Sequence, residues 1–304
     1  MIANLYNKFG LYVKNKNESM RNLGIFIRKI FKFKQYMDRK SKLYPNQQKI
    51  PYINQERGVL TLPRAEYQAY FQTEPIISAA IDLKDKAENA GFQQSQKNHL
   101  ITNLLPLDTI EDNSPFIDFA LNDTILNMVS SYLGFIPLLS YIGVWYSPPV
   151  LKKYDSSQLF HCDQIDNKQV KVFINCTDVT DKDGPLTCLT ADVSKSIRKK
   201  INYEWSDQRQ MVSDHLIDQL VSNNNINVLT GEKGTVSMVD TSSCFHFGSR
   251  VKNGSKGRLM IVFQYISPYA FTLPFKTNQE LPLKWIASHN RFSKIERLVL
   301  GHGS

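Results

Sequence analysis

The chain has 304 residues, of which 42% are hydrophobic and 11% aromatic, and its formal net charge is +9. This length and apolar content predict a soluble globular protein with a sizeable core and exclude a disordered chain. No apolar run reaches the roughly 18 residues of a transmembrane helix, and the opening stretch, MIANLYNKFG, lacks the features of a secretory signal. Four scattered cysteines without a CxxC pair then predict reduced thiols in a cytoplasmic protein.

The first part of the chain is strongly basic. Residues 28–42, RKIFKFKQYMDRKSK, contain seven Lys or Arg against one Asp, with apolar residues between the charges. A helix formed here would either touch an anionic membrane surface or acidic partner with its basic face, or pack on the domain by its apolar face with the charges in solvent. We favour the second interpretation. No nucleic-acid-binding motif accompanies the charge, so no nucleic-acid partner is expected.

Apolar spacing of three and four residues predicts helices over 63–72, 74–92 and 117–134. After Gly134 the pattern changes to segments rich in β-branched and aromatic residues that are broken by Asp, Gly, Asn and Pro. These predicted strands cover 138–147, 169–179, 184–190, 226–230, 234–240 and 258–267. One helical insertion is expected at about 205–222, and 280–300 is expected to be partly helical.

Many short strands at roughly regular spacing are typical of a sandwich or barrel. The sequence therefore predicts a mainly β protein with flanking helices, in which the N-terminal helical region covers one sheet. Residues 1–60 are expected to form a basic segment packed on or extending from the domain. Residues 61–304 are expected to form a single domain whose barrel core spans about 136–268.

The stretch QLFHCDQ places His161 two positions before Asp163. On an extended segment the two side chains project to the same side, so they can share one metal ion. The alternative is a surface histidine with a local acid neighbour. His246, just after the predicted strand GTVSMVD, is the candidate for a third ligand.

Two histidines and one carboxylate are typical of non-haem Fe(II) oxygenases, although zinc can occupy the same ligands. Arg258 begins the apolar strand RLMIVFQYIS, twelve positions after His246. A guanidinium at the start of a buried strand requires an anion, and it binds carboxylates in a two-point geometry. A dicarboxylate cosubstrate fits this requirement better than a hydrolytic zinc site does. The alternative for Arg258 is a structural ion pair at the end of the barrel.

Four segments in this order resemble the phytanoyl-CoA dioxygenase family of Fe(II)/2-oxoglutarate oxygenases. The matching segments are LGFIPLLSYIGVWYSPP, FHCDQ, VKVFINCTDVTDKDGPLTCL and HFGSRVKNGSKGRLMIVFQYIS, within about residues 130–268. The resemblance implies a double-stranded β-helix (jelly-roll) core. It also implies an enzyme that uses Fe(II), 2-oxoglutarate and O2 to hydroxylate or otherwise oxidise an unactivated C–H bond, with succinate and CO2 as coproducts.

Carried over by position, the resemblance implies that His161, Asp163 and His246 are the iron ligands and that Arg258 binds the distal carboxylate of 2-oxoglutarate. Related halogenases replace the acid with Gly or Ala, so the presence of Asp163 implies oxidation without halogenation. Arg250, four positions after His246, is the rival for the role of Arg258.

Two hydroxyl residues, Ser249 and Thr187, are candidates to hydrogen-bond the cosubstrate. Trp145 and Tyr146 are candidates to contact substrate, and strand alternation allows only one of them to face the cavity. Lys171 faces either solvent or the cavity, where it would steer an anionic substrate.

The expected substrate is a small molecule, with an anionic or carrier-linked compound favoured by the net charge. A non-catalytic barrel that retains a relic metal site to bind a ligand or partner is the alternative function. A zinc hydrolase on the same ligands is disfavoured by Arg258.

Overall fold

The computed structural model describes residues 2–43, 50–90, 101–149, 156–206, 209–222, 225–273, 281 and 283–302. Within these ranges, no helix is both long and apolar enough to cross a membrane.

Two antiparallel sheets form the core. The large sheet has the order β1-β7-β4-β9-β3-β2 and the small sheet the order β6-β5-β8. The strands are β1 Val59–Leu62, β2 Thr102–Asn103, β3 Leu138–Ser147, β4 Val170–Asn175, β5 Leu186–Leu189, β6 Ile226–Leu229, β7 Val236–Val239, β8 His246–Phe247 and β9 Arg258–Ile266.

The chain crosses repeatedly between the sheets. It runs from β3 in the large sheet to residue 161, which bridges to β8 of the small sheet, and back to β4. It then forms β5 and β6 in the small sheet, β7 in the large, β8 in the small and β9 in the large. This winding is a double-stranded β-helix, so the predicted fold class is confirmed.

Helices surround the barrel. Their bounds are α1 Ile2–Val13, α2 Glu18–Phe31, α3 Phe33–Ser41, α4 Arg64–Tyr67, α5 Glu74–Asn89, α6 Pro115–Ala120, α7 Asp123–Leu133, α8 Ala191–Lys200, α9 Asp214–Leu220 and α10 Lys294–Val299. Short 3-10 turns occur at Leu107–Thr109, Ser156–Gln158 and Ile286–Ser288. Helices α5, α6, α7 and α10 supply apolar side chains to a core shared with the outer face of the large sheet.

Strand alternation decides which side chains reach the barrel interior. Every residue of β9 is buried, but Leu259, Ile261 and Phe263 pack outward against the helices. Met260 and Val262 point into the space between the sheets. Because Arg258 has the same parity as these two residues, it also faces the interior.

Three helical predictions were inaccurate. Residues 117–134 contain two helices, because the Asn122 side chain accepts from the backbone of Thr124 and Ile125 and starts a new one. The helix predicted at 63–72 is only the single turn α4. The insertion expected at about 205–222 holds α9 in its described part, and α8 precedes it over residues that were not predicted helical.

The basic N-terminal helices pack partly through apolar residues with lysines in solvent, as expected, but three of their arginines are buried as well. Arg28 donates to the carbonyls of Tyr269, Ala270 and Leu273 over 3.0, 2.6 and 2.7 Å. Arg39 donates in the same way to Ile136, Pro137 and Leu298, and Arg21 to Gln164 and Asp166. All three arginines are fully buried. The guanidinium groups thus donate hydrogen bonds to buried backbone carbonyls of distant segments.

Candidate metal centre

The two predicted histidine ligands are held by a backbone pairing. His161 and His246 form an antiparallel bridge in which each N–H donates to the carbonyl of the other residue, over 3.1 and 2.9 Å. The imidazole rings consequently lie side by side, with their centroids 4.3 Å apart. Both residues are buried.

Hydrogen bonds to carbonyls fix the tautomer of both rings. Nδ1 of His161 lies 2.8 Å from the carbonyl oxygen of Leu159, and Nδ1 of His246 lies 3.0 Å from that of Cys244. A carbonyl oxygen only accepts, so each Nδ1 carries the hydrogen and each Nε2 has a free lone pair. Burial and the neighbouring His161 lower the pKa of His246 to about 3, which keeps this ring neutral near pH 7. Neutral imidazoles are the form that binds metals.

Asp163 completes the cluster. Its Oδ1 lies 3.9 Å from Nε2 of His161 and 3.8 Å from Nε2 of His246. One ligand atom from each residue lies within 4.8 Å of the others. Burial alone would raise the pKa of Asp163, but Lys171 and the two histidines outweigh it and hold the pKa well below its usual range. Two imidazole nitrogens and one carboxylate oxygen fit a divalent ion such as iron or zinc.

The cluster lines a cavity of about 210 Å³ between the two sheets. Its wall combines the three candidate ligands with two cations, Lys171 and Arg258. The rest of the wall is mainly apolar and comes from Ile101, Trp145, Phe173, Leu186 and Met260. A charged cluster in an apolar wall is a setting in which electrostatic interactions are strong.

Arg258 has hydrogen-bonding capacity that the described part of the protein does not use. Its side chain is 3% exposed, and Nη2 donates to Ser249 Oγ over 2.9 Å. Nε and Nη1 have no hydrogen-bond partner within the described ranges. Burial lowers the pKa of Arg258 to about 10, with Asp183 opposing the shift, so the group remains charged near pH 7. A buried guanidinium with unused donors is costly unless an anion binds to it.

The two hydroxyl candidates are placed differently. Ser249 Oγ lies between Arg258 and Ser147, whose Oγ is 3.0 Å away. Thr187 instead faces a second cavity outside the barrel, and its hydroxyl is directed to the Pro185 carbonyl at 3.5 Å. Strand parity explains the difference, because the flanking Leu186 and Cys188 occupy the inward positions of β5. This placement does not favour the expected contact between Thr187 and the cosubstrate.

The two candidate substrate contacts on β3 face opposite sides of the strand. Trp145 lines the cavity, whereas Tyr146 packs on the outer face of β3 within the helical core. Of this pair, Trp145 is therefore the one that faces the cavity, as alternation required. Lys171 faces inward, and its Nζ lies 2.7 Å from Asp163 Oδ2. Of the two orientations considered for Lys171, the structure has the one that reaches the cavity.

Arg250, the rival of Arg258, lies outside this cavity. It forms a two-point ion pair with Asp214, with contacts of 2.7 and 2.8 Å. Its guanidinium also stacks over Phe247 at 3.4 Å from the ring centroid. An anion beside the metal cluster would meet Arg258 and not Arg250.

Gln169 is a site residue that the sequence reasoning missed. Its Nε2 donates to Asp163 Oδ2 and to Thr241 Oγ1, each over 2.7 Å. Lys171 and Gln169 together hold Oδ2 and leave Oδ1 facing the histidines. The sequence could have indicated Gln169, because residues 169 and 171 lie on the same side of an extended segment and Lys171 was already a candidate.

No protein-family model matches the chain, and no curated protein matches it either. The chain is similar to the solved structure of HygX from Streptomyces hygroscopicus with nickel and 2-oxoglutarate bound, at 14% identity over 70% of this chain and 84% of that one, with a TM-score of 0.43. It is similar to EctD from S. alaskensis in its apoform, at 14% identity over 75% and 83% of the two chains, with a TM-score of 0.47. It is also similar to SnoK, a non-heme alpha ketoglutarate dependent carbocyclase from nogalamycin biosynthesis, at 14% identity over 75% and 85%, with a TM-score of 0.44. At this distance the fold assignment rests on the strand order above, and the chemistry rests on the site itself.

Proposed function

We propose that the protein is a non-haem Fe(II)- and 2-oxoglutarate-dependent oxygenase of the phytanoyl-CoA dioxygenase type. It would use O2 to oxidise an unactivated C–H bond of a small molecule, with succinate and CO2 as coproducts. The observation that carries the proposal is the buried Arg258, whose unused donors line the same cavity as the His161, Asp163 and His246 cluster.

Three atoms of the chain would hold the metal: Nε2 of His161, Nε2 of His246 and Oδ1 of Asp163. Bound Fe(II) and 2-oxoglutarate would together activate O2 for removal of hydrogen from carbon. The Nδ1–H bonds to backbone carbonyls orient both rings before any ligand arrives. The retained carboxylate of Asp163 supports oxidation without halogenation.

Arg258 would pair with the distal carboxylate of 2-oxoglutarate through its unused N–H donors, while Nη2 keeps its hydrogen bond to Ser249. This pairing would remove the cost of a buried guanidinium with unused donors. A hydrolytic zinc site on the same ligands has no use for such a cation. A barrel that only binds a ligand has no use for a complete set of metal ligands beside it.

The remaining cavity wall would exclude water from the reaction and position the substrate. Trp145, Phe173 and Met260 supply apolar surface. We assign Lys171 first to Asp163, with which it is paired. Its charge also favours an anionic or carrier-linked substrate, because a cation in an apolar wall attracts negative charge strongly.

The test is an anaerobic titration of metal-free protein with Fe(II), followed by 2-oxoglutarate. The readout is the weak visible charge-transfer band of the metal-bound cosubstrate. The wild type is compared with His161→Ala and with Arg250→Gln, which alters an arginine outside the cavity. The proposal predicts a band for the wild type and Arg250→Gln and none for His161→Ala, with circular dichroism confirming that all three are folded.

A folded wild-type protein that shows no band would contradict the oxygenase proposal. Tight Zn(II) binding without any effect of 2-oxoglutarate would favour a zinc site. A band that Arg250→Gln weakens as much as His161→Ala would show that the cosubstrate binds elsewhere.

A further inference from the structure

The outward face of α2 is apolar, although this helix is attached to the barrel by charged residues. Leu23, Phe26 and Ile30 are 48%, 61% and 57% exposed. With 3.6 residues per turn they form one stripe, and Arg21 and Arg28 lie on the opposite side. The helix therefore has reversed amphipathicity, with guanidinium groups inward and hydrocarbon outward.

Helices α1 and α3 also expose apolar side chains. Leu5 and Tyr12 lie two turns apart on the exposed side of α1, and Phe33 and Met37 lie one turn apart on α3. In the part of the chain that the structure describes, fifteen large hydrophobic side chains are exposed, and ten of them lie on these three helices. We call this set the N-terminal apolar surface: Ile2, Leu5, Leu11, Tyr12, Leu23, Phe26, Ile30, Phe31, Phe33 and Met37. Single exposed hydrophobic residues are ordinary, but such a concentration marks an interaction surface.

The same segment contains the net charge of the protein. Residues 1–43 have eleven Lys or Arg and two Asp or Glu, a net charge of +9, which equals that of the whole chain. The remaining residues are balanced, with 26 basic and 26 acidic side chains. Both acids of the segment are in ion pairs, Glu18 with Arg198 and Asp38 with Lys42.

Part of this positive charge lies among the exposed apolar residues. Lys8, Lys34 and Lys40 are exposed on α1 and α3. Arg21, Arg28 and Arg39 lie beneath the surface, where their hydrogen bonds go to backbone carbonyls. The surface thus combines exposed hydrocarbon with exposed lysines in a segment of net charge +9.

We propose that the N-terminal apolar surface binds the surface of an anionic lipid bilayer. The apolar side chains would enter the boundary between headgroups and acyl chains, and the flexible lysine stems would reach the negatively charged headgroups. A second copy of this chain is a poorer occupant, because self-association would bring two surfaces of net charge +9 together. The barrel would then be held at the membrane by a segment separate from the metal cluster.

The experiment is co-sedimentation of the full chain with phosphatidylcholine vesicles prepared with and without phosphatidylserine. The proposal predicts binding to the phosphatidylserine vesicles that weakens as salt rises. The triple variant Leu23→Gln, Phe26→Gln, Ile30→Gln should bind at least about tenfold more weakly. A Lys34→Gln, Lys40→Gln variant should lose about tenfold or more. The matched control, Val228→Gln with Trp285→Gln, changes exposed hydrophobic residues elsewhere and should bind like the wild type.

Three results would overturn the proposal. The first is an absence of vesicle binding by the folded wild type. The second is equal binding to vesicles with and without phosphatidylserine. The third is a wild-type oligomer in light scattering that the triple variant converts to monomers, which would show that a second copy covers the surface.

Discussion

Gln169 donates through Nε2 to Oδ2 of Asp163 over 2.7 Å, and the same nitrogen lies 2.7 Å from Thr241 Oγ1. The hydrogen bond fixes Oδ2 of the carboxylate, and Oδ1 is directed to the two histidines. Partners of this kind usually contribute about 10- to 100-fold to metal affinity.

Replacing Gln169 with Leu should weaken Fe(II) binding about tenfold, because Asp163 loses a neutral donor that orients it. The measurement is an anaerobic competition titration against a chromophoric chelator. Gln264→Leu is the control, since Gln264 is also a buried glutamine of the large sheet but bonds to Ser140. Equal affinities in the two variants would show that Gln169 does not position Asp163.

Gly184 allows the chain after β8 to approach the barrel edge closely. Its φ is +65°, and a Cβ at this position would lie 2.8–2.9 Å from the backbone of Ser249 and Arg250. Gly184→Ala should therefore lower the free energy of unfolding by about 2–3 kcal/mol. It should also weaken 2-oxoglutarate binding, because displacement of Ser249 disturbs Arg258.

Gly254→Ala is the control for Gly184→Ala, because it introduces backbone strain without a steric clash. Gly254 has a φ of +83°, but no atom of the residues that the structure describes lies within 4 Å of the position that an alanine methyl group would take. Only the cost of the left-handed conformation, about 1–2 kcal/mol, is therefore expected. Urea denaturation measures both variants. A loss for Gly254→Ala as large as that for Gly184→Ala would contradict the close-approach argument.

Arg28 should contribute strongly to the packing of the N-terminal helices on the barrel. Arg28→Leu leaves the carbonyls of Tyr269, Ala270 and Leu273 without these donors. We expect a loss of about 3 kcal/mol or more in the free energy of unfolding. Lys34→Leu, an exposed change on the same segment, should be within about 0.5 kcal/mol of the wild type. Similar stabilities of the two variants would show that the arginine attachment contributes little.

The free energy of unfolding should depend on pH because of Lys32. Burial, together with Arg28 and Arg39, lowers the pKa of Lys32 to about 7, whereas an unfolded lysine titrates near about 10.4. Between these values the unfolded chain binds more protons, so this lysine's contribution to stability rises with pH from about 7 to about 10. Below about pH 7 the cost of the buried charge is fully present.

Lys32→Met removes the titrating group and isolates this effect. The difference in unfolding free energy between wild type and variant should shift in favour of the wild type as pH rises, by at most about 1.4 kcal/mol per pH unit. Denaturant titrations at a series of pH values measure the difference. Parallel pH profiles for the two proteins would contradict the lowered pKa.

The barrel was predictable because its strands have either alternating apolar and polar residues or continuous apolar stretches, and turn residues separate them. The spacing of His161 and Asp163 likewise follows from a strand period of two. The orientation of Thr187 could not be predicted, because pairing with distant strands decides which side of β5 faces the barrel interior. The local sequence carries no information about that pairing. The burial of the N-terminal arginines was missed for a related reason: the carbonyl groups that bind Arg21, Arg28 and Arg39 belong to remote segments, which a helical pattern does not reveal.

The central claim is that Arg258 recognises the distal carboxylate of the cosubstrate, and a comparison of two ligands tests it most directly. Anaerobic Fe(II) protein is titrated with 2-oxoglutarate and with 2-oxobutyrate, which lacks that carboxylate, in the wild type and in Arg258→Gln. The wild type should prefer 2-oxoglutarate by about 100-fold, since charged hydrogen bonds to a buried guanidinium contribute about 3 kcal/mol, and the variant should lose most of this preference. An unchanged preference in folded Arg258→Gln would contradict the account.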